Sequence, residues 1–137
     1  MKHVCCIIVL GLGLLFGTVS SAAPKIRVML LDGESGGPYH KWQAITPVLK
    51  KQLEETGLFQ VDVVTAPPKG ADYSSFKPEF GKYKVIVMNY DAPDERWPDA
   101  LKAAFEQYVK NGGGLVTVHA ADNGESRHHR LPMGRRR

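Results

Sequence analysis

Residues 83–90 read Tyr-Lys-Val-Ile-Val-Met-Asn-Tyr, and this stretch gives the strongest strand signal of the chain. Its centre, Val85–Met88, is a continuous apolar run of the kind found in strands buried within a parallel sheet. Apolar residues then recur at three- and four-residue spacing over 100–109, which predicts an amphipathic helix. Asn111 and the glycines that follow it end this helix, and a further strand is predicted at Leu115–Val118.

The first half of the chain shows the same alternation of strand and helix. Strands are predicted at Ile26–Leu31 and Gln60–Thr65. Apolar residues at helical spacing lie between them, and we expect the helix proper to begin with Thr46 as N-cap and Pro47 in its first turn. Gly57 stands where a glycine often ends a helix. Strands that alternate with helices predict a parallel sheet and the α/β class.

The sequence changes character after the fourth predicted strand. Residues 124–137 include five arginines and show no hydrophobic periodicity. A sheet that stopped at the fourth strand would leave an apolar edge uncovered. We therefore expect residues 23–123 to form a partial α/β domain, incomplete after its fourth strand. Residues 124–137 are expected to be a disordered tail foreign to the fold, such as a shifted reading frame produces, and a natural basic tail is the alternative.

The N-terminal segment has the features of a secretory signal peptide. Lys2 and His3 precede an apolar run over residues 4–16, and small residues follow at 20–23. The apolar run is shorter than the roughly 17 residues needed to span a membrane, which disfavours an uncleaved anchor. We expect residues 1–22 to be removed and the mature chain to be secreted or periplasmic, with no membrane contact after cleavage.

Cysteine content and charge exclude several classes of function. Cys5 and Cys6 both lie in the predicted signal peptide, so the mature chain offers no Cys nucleophile and no disulfide. The formal net charge is +4, yet residues 23–123 carry 12 basic and 13 acidic side chains. The positive charge comes mainly from the five arginines and one glutamate of 124–137. It is therefore no evidence for a nucleic-acid partner, and we expect none.

Polar side chains follow three of the four predicted strands. They are Asp32, Glu34 and His40 after the first strand, Asn89 and Asp91 after the third, and His119 after the fourth. In an open parallel sheet, ligands bind outside the carboxyl ends of the strands, so these groups are expected to converge there. His119 can act as a general base, a ligand or a hydrogen-bond donor, or be a buried histidine bonded to backbone. Asp91 can take part in acid–base chemistry on a sugar, whereas Asp94 and Glu95 fit an ordinary loop and helix start.

A dinucleotide site and a metal site are the two other kinds of site that these residues could form. A dinucleotide site is rejected because Asp32 and Glu34 would stand where a phosphate must bind. A metal site from Asp32, His40, Asp91 and His119 has suitable ligand types, but nothing in their spacing requires it. No metal is assigned, and the sequence leaves any cofactor unidentified.

Four segments of the chain together resemble the ThuA-like, or trehalose utilisation, family. They are Lys25–Asp32, Gly-Pro-Tyr-His40 with Trp42, Val85–Asp91, and Asn-Gly-Gly-Gly-Leu-Val-Thr-Val-His-Ala-Ala at 111–121. The resemblance covers about residues 25–123, and its most specific part is the last segment. It implies a flavodoxin-like parallel sheet with flanking helices, related to class I glutamine amidotransferases. Members of this family continue well beyond this point with further strands.

The resemblance implies a role in sugar metabolism. We expect an exported domain that performs a hydrolytic or isomerising step on a small saccharide, without a Cys or Ser nucleophile. His119, Asp91 and His40 are the expected catalytic residues, and Asp32, Glu34 and Asn89 are expected to bind the substrate. The alternatives are a non-catalytic carbohydrate-binding or interaction module and an inactive truncated fragment.

Overall fold

A computed structural model describes residues 23–34 and 40–118 of the chain. These residues form four strands, two α-helices and two short 3₁₀ turns. In chain order the elements are β1 (Ile26–Asp32), α1 (Trp42–Glu55), β2 (Phe59–Thr65), a 3₁₀ turn (Phe80–Lys82), β3 (Val85–Met88), a 3₁₀ turn (Asp94–Arg96), α2 (Asp99–Lys110) and β4 (Gly114–Thr117). All four predicted strands and both predicted helices are therefore confirmed.

The four strands form one parallel sheet in the order β2-β1-β3-β4. Val28 pairs with Val61 on one side and with Val85 on the other, so β1 lies at the centre. Met88 pairs with Thr117, which places the carboxyl ends of β3 and β4 beside each other. This is the doubly wound, flavodoxin-like order in which the strand sequence reverses next to β1. The predicted fold class is confirmed.

The core has two layers because successive strand residues point to opposite faces of the sheet. Helix α1 covers one face through Leu49 and Leu53. The buried strand residues beneath it are Val28, Leu30, Val61 and Val87. The opposite face carries a larger, aromatic-rich core. Its strand and α2 members are Met29, Leu31, Ile86, Met88, Leu101, Phe105 and Tyr108, and it includes Phe80 and Trp97 from the connecting segments. Because the described helices cover both faces of the sheet, the central strands are apolar on both sides, which explains their continuous apolar runs.

The start of α1 differs from the prediction. The helix begins at Trp42, because the amides of Ala44 and Ile45 already donate to the carbonyl of Lys41. Pro47 therefore lies inside the helix, where it supplies no N–H to the preceding turn. Thr46 is not an N-cap; its side chain is buried toward the sheet. The predicted end is correct, since α1 ends at Glu55 and Gly57 has φ +74°.

The β4 side of the described sheet retains an exposed apolar residue. Val116 pairs with Val87, so it lies on the face that α1 covers, and half of its surface remains accessible. Whether this edge of the sheet is covered depends on residues that follow Val118, which lie outside the described ranges. Of the two helices that the structure describes, neither is long and apolar enough to cross a membrane.

Candidate functional site

The carboxyl ends of β1 and β3 bring four of the six predicted site residues together: Asp32, Glu34, Asn89 and Asp91. The amide of Asn89 donates to the carbonyl of Leu31 over 2.8 Å, which continues the pairing of these strands past β3. The amide of Asp91 then donates to the carbonyl of Glu34 over 3.0 Å. Residues 57 positions apart in sequence therefore lie side by side, as the parallel topology requires.

A buried hydrogen-bond network joins three elements at this edge. The hydroxyl of Thr46, on α1, donates to Oδ2 of Asp32 over 2.6 Å. The side-chain amide of Asn89 donates to the same hydroxyl over 3.1 Å. Asp32, Thr46 and Asn89 are only 1%, 6% and 9% exposed. The network therefore links β1, α1 and β3 behind the surface of the edge.

The second oxygen of the Asp32 carboxylate is the unusual atom of this network. Oδ1 is buried and receives no hydrogen bond within the described structure. A buried acceptor without a donor costs about 1–3 kcal/mol, and more when it is charged. Groups left in this state often have a function, because an ordinary core position would be filled by an apolar side chain.

Glu34 and Arg96 form an ion pair at the same edge. Nε and Nη2 of Arg96 each donate to one carboxylate oxygen of Glu34 over 2.9 Å, a two-point geometry that fixes both side chains. Both are mostly buried, with 20% of the arginine and 16% of the glutamate side chain exposed. The hydrogen bond from the guanidinium to Glu34 raises the pKa of Arg96. The pair clamps the segment after β1 to the 3₁₀ turn before α2.

The structure describes two of the three expected catalytic residues, His40 and Asp91. His40 and Asp91 are half-buried, one just before α1 and the other after β3. His119 lies outside the described residues. The residue before it, Val118, donates its amide to the carbonyl of Met88 over 2.9 Å, so the chain reaches the carboxyl edge beside Asn89. Among the described residues, no three His, Cys, Asp or Glu side chains are grouped closely enough to hold a metal ion.

Two buried tyrosines extend the polar lining behind the edge. The hydroxyl of Tyr73 donates to the carbonyl of Pro67 over 2.8 Å, and the hydroxyls of Tyr73 and Tyr90 are 3.0 Å apart. Because Tyr73 has already used its proton, Tyr90 donates to Tyr73. Burial raises the pKa of both phenols, so both are neutral donors at physiological pH.

A cavity of about 530 Å³ lies at the opposite, amino edge of the sheet. It is bounded by the residues just before β3 and β4 and by the end of α2. Its lining includes Phe80, Tyr83, Gln107, Tyr108 and Gly113. The side chain of Tyr108 lies against the start of β4, since its hydroxyl donates to the carbonyl of Gly114 over 2.9 Å. None of the predicted site residues that the structure describes lines this cavity.

The sequence did not reveal two partners of the predicted residues, Thr46 and Arg96, or the buried Tyr90 beside them. Thr46 was assigned to a helix cap, whereas it bridges Asp32 and Asn89. Arg96, which pairs with Glu34, gave no signal because a single arginine in a loop is ordinarily a solvated charge. Tyr90 directly follows Asn89, and its place in the strand signal could have marked it as part of this edge.

The family comparison and the similar solved structures both point to ThuA-like proteins. The model of the ThuA family, described as trehalose utilisation, matches residues 27–134. This range extends into residues 124–137, the segment expected to be a tail foreign to the fold. No curated protein matches the chain.

Two similar solved structures are ThuA-like proteins. One, from Parabacteroides merdae, is 40% identical over 74% of this chain, with a TM-score of 0.67. Another, from Bacteroides uniformis, is 27% identical over 77% of this chain, with a TM-score of 0.50. The chain spans 34% and 41% of their respective lengths. On the family match and the 40% identity, this chain belongs to the ThuA, or trehalose utilisation, family.

Proposed function

We propose that this domain binds a small, trehalose-type saccharide at the carboxyl edge of its sheet and performs a hydrolytic or isomerising step on it. The observation that carries the proposal is the convergence of polar groups from β1, α1 and β3 on that edge. Saccharides are recognised through their hydroxyls, which need fixed carboxylate, amide and imidazole partners. The family to which the chain belongs supports this class of ligand.

The proposed chemistry is acid–base catalysis by His119, Asp91 and His40. A histidine and a carboxylate at the ends of neighbouring strands can take a proton from one sugar oxygen and give one to another. Residues 23–137 contain no cysteine, so the proposed reaction uses no thiolate nucleophile from this segment. Asp32, Glu34 and Asn89 are assigned to substrate binding and to holding the edge in shape.

A non-catalytic carbohydrate-binding module is the second candidate. The specific observation in its favour is that several polar groups are already engaged inside the protein. Both oxygens of Glu34 accept from Arg96, and Asn89 is buried against Thr46. Such an edge is rigid and well suited to binding, whereas turnover needs groups that exchange protons with the ligand.

The two candidates are separated by changing His119. The full-length chain is incubated with trehalose, and both binding and product formation are measured for the wild type and for His119→Ala. We expect turnover to fall at least about 100-fold, as the loss of a general base does, while binding is retained. His128→Ala is the matched control, because His128 belongs to residues 124–137, which are expected to lie outside the fold, and it should leave both unchanged. Turnover that survives His119→Ala would refute the catalytic assignment, and binding without turnover in the wild type would favour the module.

We also propose that the chain is exported. The support is the order of a short positive start, an apolar run and small residues in positions 1–22. Expression in a bacterial host, cell fractionation and mass spectrometry of the N-terminus test this. We expect an exported product that begins at Ala23, and Leu14→Arg should block its export by interrupting the apolar run. Recovery of the intact chain beginning at Met1 would refute the proposal.

A further inference from the structure

We propose that Thr46 is a positioning residue of the saccharide site, which fixes the carboxylate of Asp32 for the ligand. The inference rests on the proposed function, because it assigns a residue to the same edge of the sheet. It adds a residue from α1 to a site whose expected members all follow strands.

With Asp32 as a carboxylate, the donors and acceptors around Thr46 set the direction of both of its hydrogen bonds. A hydroxyl has a single proton, and the carboxylate of Asp32 can only accept, so Thr46 donates to Asp32 Oδ2 over 2.6 Å. The amide nitrogen of Asn89 can only donate, so the Thr46 oxygen accepts from it over 3.1 Å. One hydroxyl therefore sets the orientation of two side chains that come from different strands.

This arrangement leaves one defined acceptor on Asp32. Thr46 occupies Oδ2, and Oδ1 receives no hydrogen bond from the described part of the chain. A hydroxyl of the ligand is a donor that would satisfy Oδ1. The oxygen is buried in this structure, so the contact requires a local opening of the edge as the ligand enters. Without Thr46 the carboxylate could rotate, and neither oxygen would be held in place.

A purely structural role is the competing interpretation, and Thr56 shows what such a role looks like. Thr56 lies at the exposed end of α1, where its hydroxyl donates to the carbonyl of Leu53 and accepts from the amide of Leu58. Both of its partners are backbone groups that close the helix end. Thr46 instead bonds two side chains, and one of them is an incompletely bonded carboxylate.

The test is a double-mutant cycle measured by calorimetric titration of the full-length chain with trehalose. The variants are Thr46→Val, Asp32→Asn and the two combined, with Thr46→Ser as the conservative rescue and Thr56→Val as the control. Loss of a hydrogen bond to a charged group predicts that Thr46→Val weakens binding about 10- to 100-fold. Thr46→Ser and Thr56→Val should stay within about threefold of the wild type. Thermal melting of each variant checks its folding, and Thr46→Ala replaces Thr46→Val if the latter does not melt cooperatively.

The decisive result is the coupling between Thr46 and Asp32. If Thr46 acts through Asp32, Thr46→Val costs little further affinity once Asp32 is asparagine. An equal loss in both backgrounds would overturn the inference, as would unchanged binding by a folded Thr46→Val chain. A wild-type chain that binds no trehalose would instead overturn the proposed function, and the inference with it.

Discussion

At the scale of single residues, Asp32 is the feature that an ordinary core does not explain. It ends a central strand, is 1% exposed and accepts a single side-chain hydrogen bond, from Thr46. Burial of a charge with so few partners is costly, and evolution retains such groups mainly where they have a function. Asp62 is the opposite case, because its carboxylate pairs with Arg27 at 2.8 Å near the protein surface.

The first prediction contrasts these two carboxylates. Asp32→Asn removes a buried charge and keeps an oxygen for Thr46, so we expect the free energy of unfolding to rise by about 1 kcal/mol. Asp62→Asn removes one partner of an exposed ion pair and should lower it by less than about 1 kcal/mol. Urea unfolding at pH 7 measures both. A marked loss of stability in Asp32→Asn would mean that the carboxylate is held by more than Thr46.

The second prediction concerns alkaline pH. Burial raises the pKa of Tyr73 and of Tyr90 above the ordinary value near 10, because the folded protein disfavours the phenolate. The unfolded chain releases these protons first, so their contribution to stability is complete below about pH 10 and is lost as the pH rises above it. We expect the free energy of unfolding to be insensitive to tyrosine ionisation up to about pH 9.5 and to fall above pH 10. Tyr90→Phe should reduce that fall.

Ultraviolet titration at the phenolate band provides the measurement. Folded wild-type protein should ionise its buried tyrosines at higher pH than the same chain in denaturant. Tyr83→Phe is the control, since Tyr83 is only half-buried and its removal should change the profile less. Identical titration of the folded and unfolded chains would contradict the buried pair.

At the scale of elements, the apolar pattern is sufficient to predict the four strands and two α-helices of the described structure. A strand such as Val85–Met88 is buried on both faces, so its whole run is apolar and easily recognised. The start of α1 could not be predicted in the same way. Pro47 normally marks the first turn of a helix, yet here the buried hydrogen bonds of Thr46 favour a helix that starts one turn earlier.

The same limit applies to the candidate site. Topology predicted that Asp32, Glu34, Asn89 and Asp91 follow neighbouring strands, because parallel strands share a carboxyl edge. Sequence could not supply the partners Thr46 and Arg96, which depend on how α1 and the turn before α2 pack against that edge. Side-chain pairing of this kind is a tertiary effect without a periodic signal.

The third prediction tests the turn that follows β1. Gly33 has φ +128°, and a Cβ added there would lie 2.4 Å from the carbonyl oxygen of Ala66. Gly57 has φ +74°, but a Cβ there would meet nothing within 4 Å. Gly57→Ala should therefore cost about 1 kcal/mol from backbone strain alone, whereas Gly33→Ala should cost several times as much. Comparison of their thermal midpoints is the measurement, and equal losses would contradict the close approach of β1 and the β2 end.

At the scale of the whole molecule, the topology points to the carboxyl edge as the ligand site, and the net charge points to no acidic partner. The formal charge of +4 belongs largely to residues 124–137, and the segment 23–123 is nearly neutral. The sheet order β2-β1-β3-β4 places the strand reversal next to β1, where doubly wound proteins bind their ligands. The cavity at the amino edge is the competing location, since it is large enough for a small ligand.

The most direct test of the central claim is to map trehalose binding on the amide spectrum of the ¹⁵N-labelled chain. If the saccharide binds at the carboxyl edge, titration shifts the amides of Glu34, Asn89 and Asp91. The amides of Lys84 and Gly113 at the amino edge should stay in place. Shifts confined to Lys84, Gly113 and their neighbours would contradict the account, as would a spectrum that trehalose leaves unchanged.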